Sequence, residues 1–134
     1  MKRLIPLLLV PLFSACTLVD AYLMTKYDAN EYKLAVEIRS DANRYKTECN
    51  DAMLSRANAH AIAQKTQLFE HYSEHIPRND NGASASRNLN EIAQGLLKRY
   101  NSGDKVSPTF CRLKFEGIEI GAVTVQSVLA KRPR

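Results

Sequence analysis

Three residues in the middle of the chain have the types and spacing of a zinc site. His71 and His75 stand four positions apart, so on a helix their imidazoles project from the same face, and Glu74 lies between them next to the second histidine. Imidazole nitrogens and carboxylate oxygens are common zinc ligands. One hypothesis for this chain is therefore a small metal-dependent hydrolase centred on these three residues.

The pattern His71-x-x-Glu74-His75 resembles the zinc motif of the inverzincin metalloproteases. The resemblance covers five residues of a chain much smaller than those enzymes, which also need a further carboxylate ligand in a walled cleft. His75 lies two residues before Pro77, in the last turn of a predicted helix, where histidine interacts favourably with the negative helix end. We keep the hydrolase as the alternative and expect no catalytic residue, no metal and no cofactor.

The chain begins with the charge and hydropathy pattern of an export signal. Two basic residues precede an apolar run from residue 4 to 13. Its length of about ten residues is that of the hydrophobic region of a signal peptide. A membrane span would need roughly twenty apolar residues. Extending the run to residue 24 includes Asp20, and a central aspartate costs about 3 kcal/mol on insertion. We expect residues 1–15 to be cleaved; retention of residues 4–24 as an anchor is the alternative.

The tetrapeptide Phe13-Ser14-Ala15-Cys16 resembles the lipobox of bacterial and phage-encoded lipoproteins. The resemblance implies that Cys16 becomes the first mature residue and carries diacylglycerol on its sulfur. Each buried methylene of such chains contributes about 0.8 kcal/mol, and more than one chain makes the anchor stable. Because Thr17 stands where this family has the aspartate that causes inner-membrane retention, the resemblance implies the outer membrane, with the domain facing the periplasm.

Setting aside the lipid-bearing cysteine leaves Cys49 and Cys111 as a pair in a compartment that permits disulfides. The simplest assignment is one bridge between them, which would stabilise the fold by up to about 4 kcal/mol in the chain-entropy model. Two unrelated buried thiols are the alternative. Neither cysteine has a second cysteine or a histidine within a few residues, which argues against a metal site.

A run from Asp28 to Ile76 contains neither Gly nor Pro and is rich in Ala, Glu, Lys and Gln, which predicts one long helix. Its apolar stripe is narrow and rich in alanine, so it needs a second helix or another chain lying along it. The stripe consists of Leu34, Ile38, Ala42, Tyr45, Cys49, Ala52, Ala59 and Ala63.

After Pro77 the polar residues 78–86 predict a turn, and an antiparallel return helix then runs from a cap at Asn88 to about Asn101. The C-terminal segment fits a short β-hairpin, or a third helix from about Ile118, which we favour because it covers the long stripe. The predicted fold is all-α: a long helix plus an antiparallel return helix, as a helical hairpin or small bundle, with a C-terminal third helix or short β-hairpin.

The expected organisation is a signal peptide over residues 1–15, a lipidated tether over 16–27 and a single helical domain over 28–134. Removing Lys2 and Arg3 lowers the formal charge from +5 to +3, and no interior basic block of the nucleic-acid kind is present. The basic cluster at residues 131–134 is expected to be solvated.

These features predict a non-enzymatic, membrane-anchored periplasmic lipoprotein that presents a disulfide-stapled helical arm. In its overall design the predicted protein resembles the lipoprotein subunits of phage lysis spanins and also small exclusion or inhibitor lipoproteins. The expected partners are the membrane, through lipid on Cys16, and a periplasmic protein or a second copy of the chain, with no nucleic acid.

Overall fold

A computed structural model describes residues 25–134 and shows four α-helices and no strand over that range. They are α1 (Ala29–Tyr45), α2 (Ala52–Glu74), α3 (Asp80–Asn101) and α4 (Pro108–Ala130). The predicted all-α class is confirmed. The predicted signal peptide and the lipobox-like Cys16 lie outside the described residues.

The four helices form a closed ring in which α1 and α3 each pack against both α2 and α4. Short connections make successive helices antiparallel, as in an up-down bundle. The core is built from large side chains on all four helices and from alanines that let the helices approach. Its fully buried large members include Ile38, Ile62, Phe69, Leu96, Phe115, Ile118 and Leu129. Each contributes about 1.5 to 3 kcal/mol relative to an exposed position.

The single long helix predicted from residue 28 to 76 is wrong, because the chain reverses direction between α1 and α2. Asp51 accounts for the restart: its carboxylate accepts hydrogen bonds from the backbone N–H groups of Met53 and Leu54 at 3.0 and 2.9 Å. A side chain that caps backbone donors in this way begins a helix. The expected projecting arm is therefore folded back into two sides of the bundle.

The start of α3 differs from the prediction as well. The helix begins at Asp80, so the predicted polar turn over residues 78–86 and the predicted cap at Asn88 are wrong. The reversal takes few residues because Arg78 adopts the left-handed backbone conformation, with φ of 61°. The predicted end of this helix at Asn101 is confirmed.

The C-terminal segment is a helix, and the β-hairpin alternative is wrong. This helix begins well before its predicted start at Ile118, because Ser107 caps it by accepting a hydrogen bond from the backbone N–H of Phe110 at 3.1 Å. Pro108 occupies the first helical turn, where a missing N–H costs nothing. Burial of one face outweighs the strand preference of the β-branched residues. That face consists of Cys111, Phe115, Ile118, Ala122, Val125 and Leu129.

Cys49 and Cys111 form a disulfide in the structure, with their Cα atoms 5.8 Å apart. Cys49 lies in the turn between α1 and α2, and Cys111 lies in the first turn of α4. The predicted pairing is thus present, but it joins α4 to a turn and not to the middle of a long helix. The bridge ties together the end of the bundle that is remote from residues 25 and 134.

Replacing both Cys49 and Cys111 with alanine is expected to lower the free energy of unfolding by up to about 4 kcal/mol, because a loop of 62 positions is no longer closed in the unfolded chain. Urea denaturation of the double variant beside the parent measures this change. Titratable thiols at both Cys49 and Cys111 in the parent, together with equal unfolding midpoints, would show that the bridge does not form.

Candidate functional site

The three residues of the alternative zinc-site hypothesis do not converge. His71, Glu74 and His75 are exposed at the end of α2, and the Nδ1 atom of His75 lies 2.7 Å from the backbone oxygen of His71. The carboxylate of Glu74 binds Arg87 at 3.0 Å, and this hydrogen bond and its charge raise the pKa of Arg87 above the ordinary value. Within residues 25–134, no three His, Cys, Asp or Glu side chains are grouped to hold a metal ion.

The basic tail over residues 131–134 contains a buried charge, so the expected solvation of Arg132 is wrong. The Nη1 atom of Arg132 lies 2.5 Å from Oε2 of Glu31, and both side chains are buried. Its Nη2 atom donates to Oδ1 of Asn79 at 2.7 Å. The chain therefore turns back into the bundle after α4.

Glu31, Asn79 and Arg132 form a closed network, which we call the polar cluster. The side-chain amide of Asn79 donates to Oε1 of Glu31 at 2.7 Å and to the backbone oxygen of Ser73 at 3.0 Å. The cluster joins the first turn of α1, the turn between α2 and α3, and the residues after α4. These are the three places where chain segments meet at one end of the bundle.

Gly82 leaves the space that the polar cluster fills. A Cβ atom at this position would lie 2.3 Å from Oδ1 of Asn79 and 2.6 Å from Oε1 of Glu31, far inside van der Waals contact. A side chain here would displace the Asn79 amide or the Glu31 carboxylate from its hydrogen bonds. The glycine is therefore part of the construction of the cluster, although it carries no polar side chain.

The polar cluster positions chain segments and offers no free acid or base. Burying two charges costs several kcal/mol per ion, and their attraction offsets that cost only when their other hydrogen-bonding sites are satisfied. The carboxylate of Glu31 accepts from both Arg132 and Asn79, so its two oxygens are engaged. The cluster holds the first and the last parts of the described chain at one end of the bundle.

Further contacts bring the chain ends together beside the cluster. The backbone N–H of Tyr27 donates to the backbone oxygen of Pro133 at 2.8 Å, and the guanidinium of Arg134 lies 5.4 Å from the ring centre of Tyr27. The carboxylate of Asp28 caps α1 and accepts a hydrogen bond from the Tyr72 hydroxyl at 3.0 Å. The first described residues and the last ones therefore lie at this same end of the bundle.

The second candidate for function is an exposed apolar face on α4. Leu113, Gly117, Ile120, Thr124 and Val128 recur every three or four positions on the side opposite the core, and we call them the α4 outer face. Its three aliphatic side chains are 60, 59 and 53 % exposed. A helix that is apolar on opposite sides is normally covered on both.

None of the helices in residues 25–134 is both long and apolar enough to cross a membrane. Contiguous exposed apolar patches on a protein surface mark contacts with other macromolecules. The α4 outer face is accordingly the candidate contact surface of this bundle.

Sequence reasoning missed both features, although each leaves a signal. Glu31 precedes Ala35, Ile38 and Ala42 at steps of four, three and four, so a carboxylate lies in line with the buried stripe of α1. The sequence indicates the outer face through residues 120–130, which contain no charged residue. Nothing in the sequence pairs Glu31 with Arg132, because they are 101 positions apart.

Comparison of the chain with protein-family models, with curated proteins and with solved structures found no match. The class that the geometry itself defines is a disulfide-linked four-helix bundle with a buried polar cluster at one end and an exposed apolar face on its last helix.

Gly82→Ala is expected to destabilise the protein by about 1 to 3 kcal/mol, because the added methyl group overfills the polar cluster. Gly95→Ala in the same helix is the matched control: apart from the adjoining residues and backbone of its own helix, no atom lies within 4 Å of its Cβ position, so the higher helix propensity of alanine adds up to about 1 kcal/mol. Chemical denaturation of both variants gives the comparison. Equal stabilisation by both substitutions would contradict the cluster geometry.

Arg132→Met is expected to cost about 3 to 5 kcal/mol, because it leaves the Glu31 carboxylate buried without its cation. Lys131→Met, at the exposed neighbouring position, should change stability by no more than about 0.5 kcal/mol. Combining Arg132→Met with Glu31→Gln should recover part of the loss, since no lone charge remains buried. Thermal unfolding of the three variants measures these differences, and equal effects of the two methionine substitutions would count against a buried ion pair.

Proposed function

We propose that this protein is a lipoprotein attached to the outer membrane through lipid on Cys16, and that its bundle binds another protein in the periplasm through the α4 outer face. The observation that carries the proposal is that face: five uncharged residues spread over four turns on the side of α4 opposite the core, bordered by the exposed Glu116, with three aliphatic side chains more than half exposed. Covering such a surface with a partner is favourable, because it removes apolar area from water.

The lipid anchor is supported by the lipobox-like residues 13–16 and by the disulfide, which belongs to an oxidising compartment. Fewer than ten residues separate Cys16 from the first described residue, so a fully extended tether spans at most about 30 Å. Because Tyr27 and Asp28 lie at the polar-cluster end, the proposed anchor would hold that end close to the bilayer.

The shape of the domain favours one of the lipoprotein classes over the other. A spanin-like linkage between membranes depends on an extended helix, whereas here α1 and α2 fold back on each other. A short-range binding role, as in exclusion or inhibitor lipoproteins, fits a bundle held near its own membrane. The metal-dependent hydrolase is not proposed, because Glu74 is engaged with Arg87 and the two histidines do not converge with it.

Site-specific photo-crosslinking in intact cells tests this proposal. A benzophenone side chain at position 120, in the centre of the α4 outer face, should give a discrete covalent adduct with a protein. The same probe at position 68 should not, although Leu68 is 56 % exposed, because this residue stands beside Gln64, Lys65 and His71 on α2. The parent chain should also incorporate labelled palmitate, and Cys16→Ala should not.

Adducts of equal yield at positions 120 and 68, or none at either, would contradict the binding role of the outer face. Palmitate incorporation that survives Cys16→Ala would contradict the anchor. The two readouts are independent, so one part of the proposal can fail while the other stands.

A further inference from the structure

The α4 outer face has the spacing of a helix-packing seam. Successive members lie four, three, four and four positions apart, and seams that repeat about every 3.5 residues pack against another helix. Apart from the adjoining residues and backbone of α4 itself, no atom lies within 4 Å of a Cβ placed on Gly117, so the space above this glycine is open. A second helix can approach α4 closely at that point, because the distance between packed helices depends on the side chains at the contact.

The positions of the outer face are nearly symmetric about the peptide bond between Ile120 and Gly121. Counting outward from that bond, Gly117 and Thr124 are equally distant, and so are Leu113 and Val128. If a second α4 helix lies antiparallel with the same centre, each Leu113 meets a Val128 and each Gly117 receives a Thr124. The face is therefore complementary in shape to a second copy of itself.

Charge favours the same arrangement. The chain is basic, and two identical copies repel least where they meet through uncharged residues. Glu116 and Lys131 border the outer face near its opposite ends. Parallel pairing would bring Glu116 against Glu116 and Lys131 against Lys131, whereas antiparallel pairing keeps each like pair apart. Juxtaposed like charges oppose association, so the parallel arrangement is disfavoured.

We infer that the α4 outer face binds a second copy of this chain, with the two α4 helices antiparallel about a two-fold axis near the peptide bond between Ile120 and Gly121. This inference deepens the proposed function by naming the partner, and it rests on that function for the binding role of the face. An axis of this kind lies perpendicular to both helices. If it is also perpendicular to the bilayer, both tethers reach the same membrane.

The pairing is weak in solution and stronger on a membrane. One helix face buries less than the roughly 800 Å² per partner of a standard interface, so a dissociation constant in the micromolar range is expected. Two copies anchored in one membrane meet at a higher effective concentration than free copies do. The dimer is therefore favoured where the protein is anchored.

Sedimentation equilibrium of the mature chain carrying Cys16→Ser tests the pairing without lipid, from about 1 µM to about 1 mM. The parent should dimerise, and Ile120→Lys should raise the dissociation constant at least about tenfold, because it places two charges at the centre of the contact. Leu68→Lys is the control, since Leu68 and Ile120 are 56 and 59 % exposed, and it should leave the dissociation constant unchanged. A monomer at every concentration, or an equal effect of the two lysine substitutions, would overturn the inference.

The register has its own readout. A benzophenone side chain at position 124 of the purified dimer should link to the peptide that contains Gly117 of the second copy, and a link to Thr124 of the second copy would overturn the antiparallel arrangement. A monomer in solution together with a specific adduct to a different protein at position 120 in cells would overturn self-pairing and leave the proposed function standing.

Discussion

The buried ion pair between Glu31 and Arg132 constrains the rest of the bundle. Once the carboxylate is on the core face of α1, the chain has to bring a cation to it, and the residues after α4 are turned inward for that purpose. Asn79 completes the hydrogen bonds and thereby places the turn between α2 and α3. A pair of this kind contributes little net stability. It does, however, make unfavourable every alternative arrangement of the chain in which one charge is exposed and the other stays buried without a partner.

The bundle is held at its other end by a covalent constraint. The disulfide between Cys49 and Cys111 acts by restricting the unfolded chain, whereas the polar cluster acts by penalising misplaced charges in the folded one. Between these ends, Lys65 of α2 bridges Asp41 and Glu37 of α1. Burial disfavours the Lys65 ammonium, but the hydrogen bonds and charges of both carboxylates outweigh that effect and raise the pKa of Lys65. A raised pKa stabilises the folded state at all pH values below the ordinary 10.5, and this contribution is lost only above it.

The function that we propose for this protein depends on its surface and on its position. Several of its charged groups are paired with one another, as the pairs of Glu31 with Arg132, Glu74 with Arg87 and Lys46 with Glu119 show. The contact surface that we propose is the outer face of α4, whose inner face completes the core. The same helix is thereby linked to the disulfide at its start, to the core along one side and to the polar cluster just beyond its end.

The amino-acid sequence alone determined the helical class, the cysteine pair and the end of α3, because helix formers, cysteines and polar terminators act over short distances or by composition. It also contained the capping residues Asp51 and Ser107, whose effect is local. The tertiary structure alone decided that residues 80–86 are helical and that Arg132 is buried. The reason is physical: a buried charge joins residues 101 positions apart, and only the packing of four helices brings those positions together.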